Sequence, residues 1–86
     1  MTFSPGLPEA GIRQSVEAAV TQVLDRDGVD PEVDLFDQGV TSLAFVRIVA
    51  QLNEKYDIKL VVAELEEASI TSLSTLVGAQ VGSRNN

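Results

Sequence analysis

The sequence predicts an all-α domain: a four-helix bundle with a long loop between helices 1 and 2 and a short third helix. Three observations predict it. The chain has 86 residues, enough for one small domain. A core of that size is marginal by area arguments, which favours simple helical packing. Apolar residues recur at helical spacing in separate runs, and the strongest helix breakers cluster between them. Apolar residues make up 44% of the chain, too many for a disordered segment.

Residues 1–8, with Pro5, Gly6 and Pro8, read as a flexible leader. Pro8 also suits the first position of a helix, with Glu9 beside the positive end of its dipole. The first helix is expected to run to about Arg26. Ile12, Val16, Ala19, Val20, Val23 and Leu24 form its buried face, and Arg13, Gln14, Glu17 and Gln22 its polar one. "DRDGVDPEVDLFDQG", Asp25 to Gly39, is a long connection, broken by Gly28, Pro31 and Gly39. Leu35 and Phe36 are its apolar anchor, expected to plug into the core. A second helix covers Ser42 to Tyr56. "VVAELEEA", Val61 to Ala68, is long enough for one or two turns of a short third helix. Thr71 is expected to cap the last helix, with Leu73, Leu76, Val77 and Val81 on its apolar side. The domain is expected over residues 9–82, followed by a disordered tail at 83–86.

Charge and composition narrow the function. Thirteen acidic residues stand against six basic ones, for a net charge of −7. That balance opposes phosphate backbones and anionic lipid headgroups, so neither nucleic acid nor membrane is expected as a partner. No run approaches the length needed to span a bilayer, and the N-terminus lacks the pattern of a signal peptide. A cytoplasmic monomer is the expectation. With no Cys there is no disulfide framework or thiolate metal site, and with no His a metal could use only oxygen ligands. "DRDGVD" places Gly28 fourth and Phe36 twelfth from Asp25, where a calcium loop needs glycine sixth and glutamate twelfth. A solvated acidic loop explains it better. A serine nucleophile needs a base; no His is present, and Lys55 and Lys59 lie at the far end of the second helix from Ser42. "GVTSL" is not a Gly-x-Ser-x-Gly elbow either, so no enzymatic activity is expected.

The remaining candidate is "DQGVTSLAFV", Asp37 to Val46. Either Thr41 or Ser42 could cap the second helix, and neither has a Glu or Gln three residues on. At 100° per residue, Phe45, Ile48, Val49, Leu52 and Tyr56 share one arc of about 100°, the core face. Leu43, Val46 and Ala50 form a second apolar strip beside Arg47 and Glu54, on the side of Ser42. Two readings of that strip stand level: a partner surface, or packing beneath the long loop.

"LFDQGVTSLAFVRIVAQLNEKYDIKL", Leu35 to Leu60, resembles the heart of an acyl or peptidyl carrier protein. The shared pattern is Asp-x-Gly-x-x-Ser-Leu, here Asp37, Gly39, Ser42 and Leu43, with Thr41 just before the serine. Together with the acidic balance, the helix lengths and the "SITSL" entry to the last helix, it extends over residues 9 to 82. The resemblance implies a four-helix bundle in which Ser42 takes a 4′-phosphopantetheine arm from coenzyme A through a separate phosphopantetheinyl transferase. Cargo would ride on the arm's thiol as a thioester, so the working thiol is imported. The implied further partners are an adenylate-forming ligase or acyltransferase that loads cargo and a downstream condensing or transferring enzyme. Their contacts would centre on Leu43, Val46, Arg47 and Ala50.

Two departures bear on the type. Fatty-acid carriers usually have Asp before the serine and peptidyl carriers often His; this chain has Thr41. Fatty-acid carriers keep the second helix acidic, whereas here Arg47 and Lys55 stand against Glu54 alone, two cations less one anion, a local charge of +1. The resemblance is thus closer to the peptidyl type, and implies a freestanding carrier of polyketide or nonribosomal peptide assembly. The alternatives are a fatty-acid-type carrier and an unmodified helical interaction domain.

Overall fold

A computed structural model of the chain describes residues 8–26 and 28–84. Residues 1–7, most of the expected leader, lie outside them, as do Asp27 and the last two residues of the expected tail. Three α-helices form the frame: α1 (Pro8–Leu24), α2 (Ser42–Tyr56) and α3 (Ile70–Arg84). Helix α1 packs against both α2 and α3. No helix among the described residues is long and apolar enough to cross a membrane.

Helices α1 and α2 each stop for a local reason. Asp25 takes a left-handed conformation, φ 56°, and its N–H closes on the Thr21 carbonyl, which ends α1 just short of the expected Arg26. Asp57 does the same after α2, φ 55°, with its N–H on the Asn53 carbonyl. Aspartate tolerates this region better than most residues. The Asn53 side chain then accepts from the Leu60 N–H and turns the chain back.

The predicted helix faces supply most of the core; Val40, Leu60, Ala68 and Ile70 add to it, and Val23 and Leu24 are only partly buried. Ile12, Val16, Ala19 and Val20 of α1 meet Phe45, Ile48 and Leu52 of α2 and Ile70, Leu73 and Val77 of α3. Val49, Tyr56, Leu76 and Val81 pack partly buried around them. The loop contributes Leu35, which has no exposed surface. Phe36 departs from the expected anchor: it remains 44% exposed and lies over Phe45, with ring centroids 5.1 Å apart and planes at 49°. Successive residues in a turn point apart, so one enters the core while the other roofs its edge.

The expected short third helix is instead a single 3-10 turn, Val62–Glu64. Its flanks, Val61 (ψ 87°) and Leu65 (ψ 130°), are not helical. Adjacent β-branched Val61 and Val62 disfavour a helix start, and Glu64 and Glu67 would repel one turn apart. Val61 and Val62 also stay exposed, while Leu60 and Ala68 at the two ends are buried. The segment is pinned at its ends, and between them only Leu65 packs on the core, too little apolar face to hold a helix.

The cap of α3 also differs from expectation. Ser69, just before the helix, accepts from the Ser72 N–H at 3.0 Å and donates to the Ser72 hydroxyl at 3.0 Å. Thr71 lies inside the first turn; its hydroxyl donates to Glu32 at 2.9 Å and accepts from Arg13 at 3.2 Å. That contact ties α1, the long loop and α3 together.

Candidate functional site

The approach to Ser42 is a loop held at several points. Its base is fastened to the entry of α3: the Leu35 N–H donates to the Ala68 carbonyl and the Thr71 N–H to the Pro31 carbonyl. Asp34 accepts from the Phe36 N–H at 2.8 Å with one carboxylate oxygen and from the Ala68 N–H at 2.9 Å with the other. The Ala68 N–H foremost holds the Asp34 carboxyl below the ordinary carboxylate value; desolvation opposes it, and the Phe36 and Asp37 amides add smaller lowering effects.

A 3-10 turn, Phe36–Gln38, follows, and Gly39 leaves it at φ 91°. That left-handed backbone is the reason for glycine here; space is not, since a Cβ would meet nothing within 4 Å. Val40 then returns to the core, with its N–H on the Leu35 carbonyl. Thr41 is extended (φ −82°, ψ 163°), and its hydroxyl accepts from the Ala44 N–H at 3.1 Å. Its carbonyl takes the first helical bond, from the Phe45 N–H at 2.9 Å.

The choice between two candidate caps is thereby resolved: Thr41 caps α2 and Ser42 does not. Ser42 is the first residue of the helix, exposed, and its hydroxyl makes no hydrogen bond with any described residue. The amides of Ser42 and Leu43 precede the helical ladder and lack intrahelical acceptors. A free hydroxyl therefore stands at the positive end of a 15-residue helix, the surroundings a phosphate ester would favour.

One turn on, the second apolar strip is open. Leu43 is 63% and Val46 60% exposed, and Arg47 and Ala50 are exposed beside them. The long loop does not cover them. Arg47 forms no ion pair with a described residue, whereas Arg13 pairs with Glu17 at 3.8 Å and Glu32 at 3.5 Å. Asp37 is exposed next to the glycine turn. Asp37, Gly39, Thr41, Ser42 and Leu43 thus form one continuous edge, from which Val46, Arg47 and Ala50 extend along α2. Among the described residues, no group of three carboxylates is placed to hold a metal ion.

Two contributors escaped the sequence reading. Asp34 carries a weak signal, an aspartate two residues ahead of a turn amide. Gln38 carries none, yet it binds the far side of the loop through both ends of its side-chain amide.

Thr41 thus caps α2 and leaves Ser42 exposed at its first position, beside a loop that carries Asp30, Glu32, Asp34 and Asp37. The phosphopantetheine attachment site family matches the chain over residues 14–77, and the chain belongs to that family. No curated protein and no solved structure matches it. Domains of this family carry a covalent 4′-phosphopantetheine group, and they act as carriers for biosynthetic enzymes rather than as catalysts. The exposed, unbonded hydroxyl and the free amides at the start of α2 fit such a group.

Proposed function

We propose that Ser42 is the attachment residue, and that the chain carries acyl or aminoacyl cargo of the peptidyl type in polyketide or nonribosomal peptide assembly. The observation behind this reading is the division of labour at the start of α2: Thr41 caps, so Ser42 has nothing else to do. In the transfer from coenzyme A, the serine oxygen bonds to the phosphorus that carries pantetheine. The bond from that phosphorus to the nucleotide breaks, and adenosine 3′,5′-bisphosphate leaves. The serine proton goes to a base on the phosphopantetheinyl transferase, because this chain has no His. Once attached, the arm supplies a thiol that holds cargo as a thioester. On the protein side, the amides of Ser42 and Leu43 would be the donors available to the phosphodiester, and Thr41 keeps the first turn in register.

The peptidyl type is supported by Arg47, which pairs with no described residue, on a helix of net charge +1; Thr41 matches neither type and speaks only against the fatty-acid one. Leu43, Val46, Arg47 and Ala50 would meet the transferase, an adenylate-forming ligase or acyltransferase, and a downstream condensing or transferring enzyme in turn. Serial partners need weak, fast contacts, which suits a small apolar strip with a charged rim.

The deciding measurement is intact mass after incubation with coenzyme A and a broad-specificity phosphopantetheinyl transferase. Wild type is expected to gain one phosphopantetheine and Ser42→Ala none. A folded wild type that gains nothing, or a Ser42→Ala protein that still forms the adduct, would overturn the assignment. For the contact strip, Arg47→Glu is expected to leave stability within about 0.5 kcal/mol of wild type, as a surface change does. It should slow loading or unloading by at least one partner, and unchanged rates with all of them would rule the strip out.

A further inference from the structure

Resting on Ser42 as the attachment residue, we infer that Gln38 is a positioning residue for that modification: its side chain clips the loop into the one shape that a transferase meets beside the serine. The observation is a saturated amide. Gln38 Nε2 donates to the Asp30 and Val33 carbonyls, both at 2.9 Å, and Oε1 accepts from the Asp30 N–H at 2.8 Å. The amide has only this orientation, because the reverse would set its NH2 against an N–H and its oxygen against two carbonyls. The main chain of Gln38 is engaged as well. Its N–H donates to the Leu35 carbonyl at 2.9 Å, and its carbonyl accepts from Arg26 Nη2 at 2.6 Å.

These contacts span the loop from Arg26 to Gln38; of the partners only Leu35 belongs to the core, and it takes part through its backbone carbonyl. Their effect reaches the serine through a short, taut connection. Between Gln38 and Ser42 stand a left-handed glycine, a buried valine and the helix cap, so the chain has no slack there. A displaced Gln38 moves Gly39 and the exposed Phe36–Asp37 edge directly. It also loosens the segment around Asp30, which is then held only through its neighbours: the Pro31 and Leu35 backbone bonds, Asp34 on the Ala68 amide, and Glu32 on Thr71 and Arg13. A protein partner reaching Ser42 must dock against this edge, and disorder there is an ordering cost on binding.

The test is steady-state transfer from coenzyme A by a broad-specificity phosphopantetheinyl transferase, with the carrier as varied substrate. Gln38→Glu keeps the size and one acceptor but turns a carboxylate towards two carbonyls; Gln38→Leu keeps the bulk and removes every side-chain bond. Each is expected to raise KM for the carrier about five- to tenfold with kcat nearly unchanged, the mark of lost recognition rather than lost chemistry. Arg26→Gln, at an exposed residue that bonds the Gln38 carbonyl, should raise KM in the same direction by a smaller factor. Helical content and the unfolding midpoint, read on the same samples, show that the KM change occurs in folded protein. Wild-type KM in all three variants would overturn the inference while leaving Ser42 as the modified residue. Absence of transfer to wild type itself would overturn both.

Discussion

The starts of α2 and α3 are both rich in hydroxyl residues, and they use them differently. At the start of α3 every hydroxyl is engaged. Ser69, 1% exposed, bonds the amide and the hydroxyl of Ser72, and Thr71 joins Arg13 and Glu32. Ser74 and Thr75 each donate to the carbonyl four residues back. At α2, Thr41 does the structural work alone, and Ser42 beside it is exposed and unbonded. A helix start needs one side-chain cap, and a second hydroxyl is either absorbed by tertiary contacts or left over. At α3 the loop and α1 absorb it; at α2 nothing does. The leftover hydroxyl is the one available to an outside enzyme.

The contrast breaks most readily at its buried end. Ser69→Ala removes the cap of α3 and the partner of the Ser72 hydroxyl in a site closed to water. It is expected to cost about 2 kcal/mol, the upper end of the range for caps. Thr41→Ala removes an exposed cap and should cost about 1 kcal/mol. Ser42→Ala, which removes no bond, should stay within about 0.5 kcal/mol of wild type. Urea unfolding of the three variants gives the order directly. A Ser42→Ala cost equal to that of Thr41→Ala would mean that the two hydroxyls share the cap, and the division of labour at α2 would fall.

Those same residues mark the limit of sequence reading. Helix α2 was legible in full, because five core residues and a separate apolar strip occupy different arcs of a 100° period. Its bounds follow from that pattern; whether the strip is open or lies beneath the long loop does not, and the structure leaves Leu43 and Val46 exposed. "SITSL" was legible as a helix entry but not as a particular cap. Ser69, Thr71 and Ser72 all have capping chemistry, and Arg13 and Glu32, distant in sequence, engage Thr71 instead. "VVAELEEA" has helix-length composition without a helix-spaced face, and packing decides such segments. Phe36 was placed in the core because it is aromatic and follows Leu35; alternation within the turn sends it outward. Gln38 lay beyond reach because its partners sit five and eight residues away in an irregular loop, where no period announces a contact.

The finest distinction between the two helix starts concerns the residue that joins them. Asp34 reaches from the approach to α2 across to the Ala68 amide just ahead of α3. Its carboxyl is held below its ordinary value by that amide first, and by those of Phe36 and Asp37. The unfolded chain, with an aspartate value of about 3.9, therefore binds this proton more readily than the folded one. Stability rises with pH across the interval between the two values. The contribution is complete above the unfolded value and is lost as pH falls through the folded one. Asp34→Asn removes the charge and turns an NH2 towards one of the two amides. It is expected to be less stable than wild type at neutral pH, with a gap smaller than that of either cap variant. The gap should narrow as pH drops below about 3.9, since wild type alone loses the carboxylate there. Thermal unfolding of both proteins from neutral to strongly acidic pH measures it. A gap of constant size across that range would mean that the carboxylate bridge carries no charge-dependent stability, and that the loop is held to α3 by the Leu35 and Thr71 amide bonds alone.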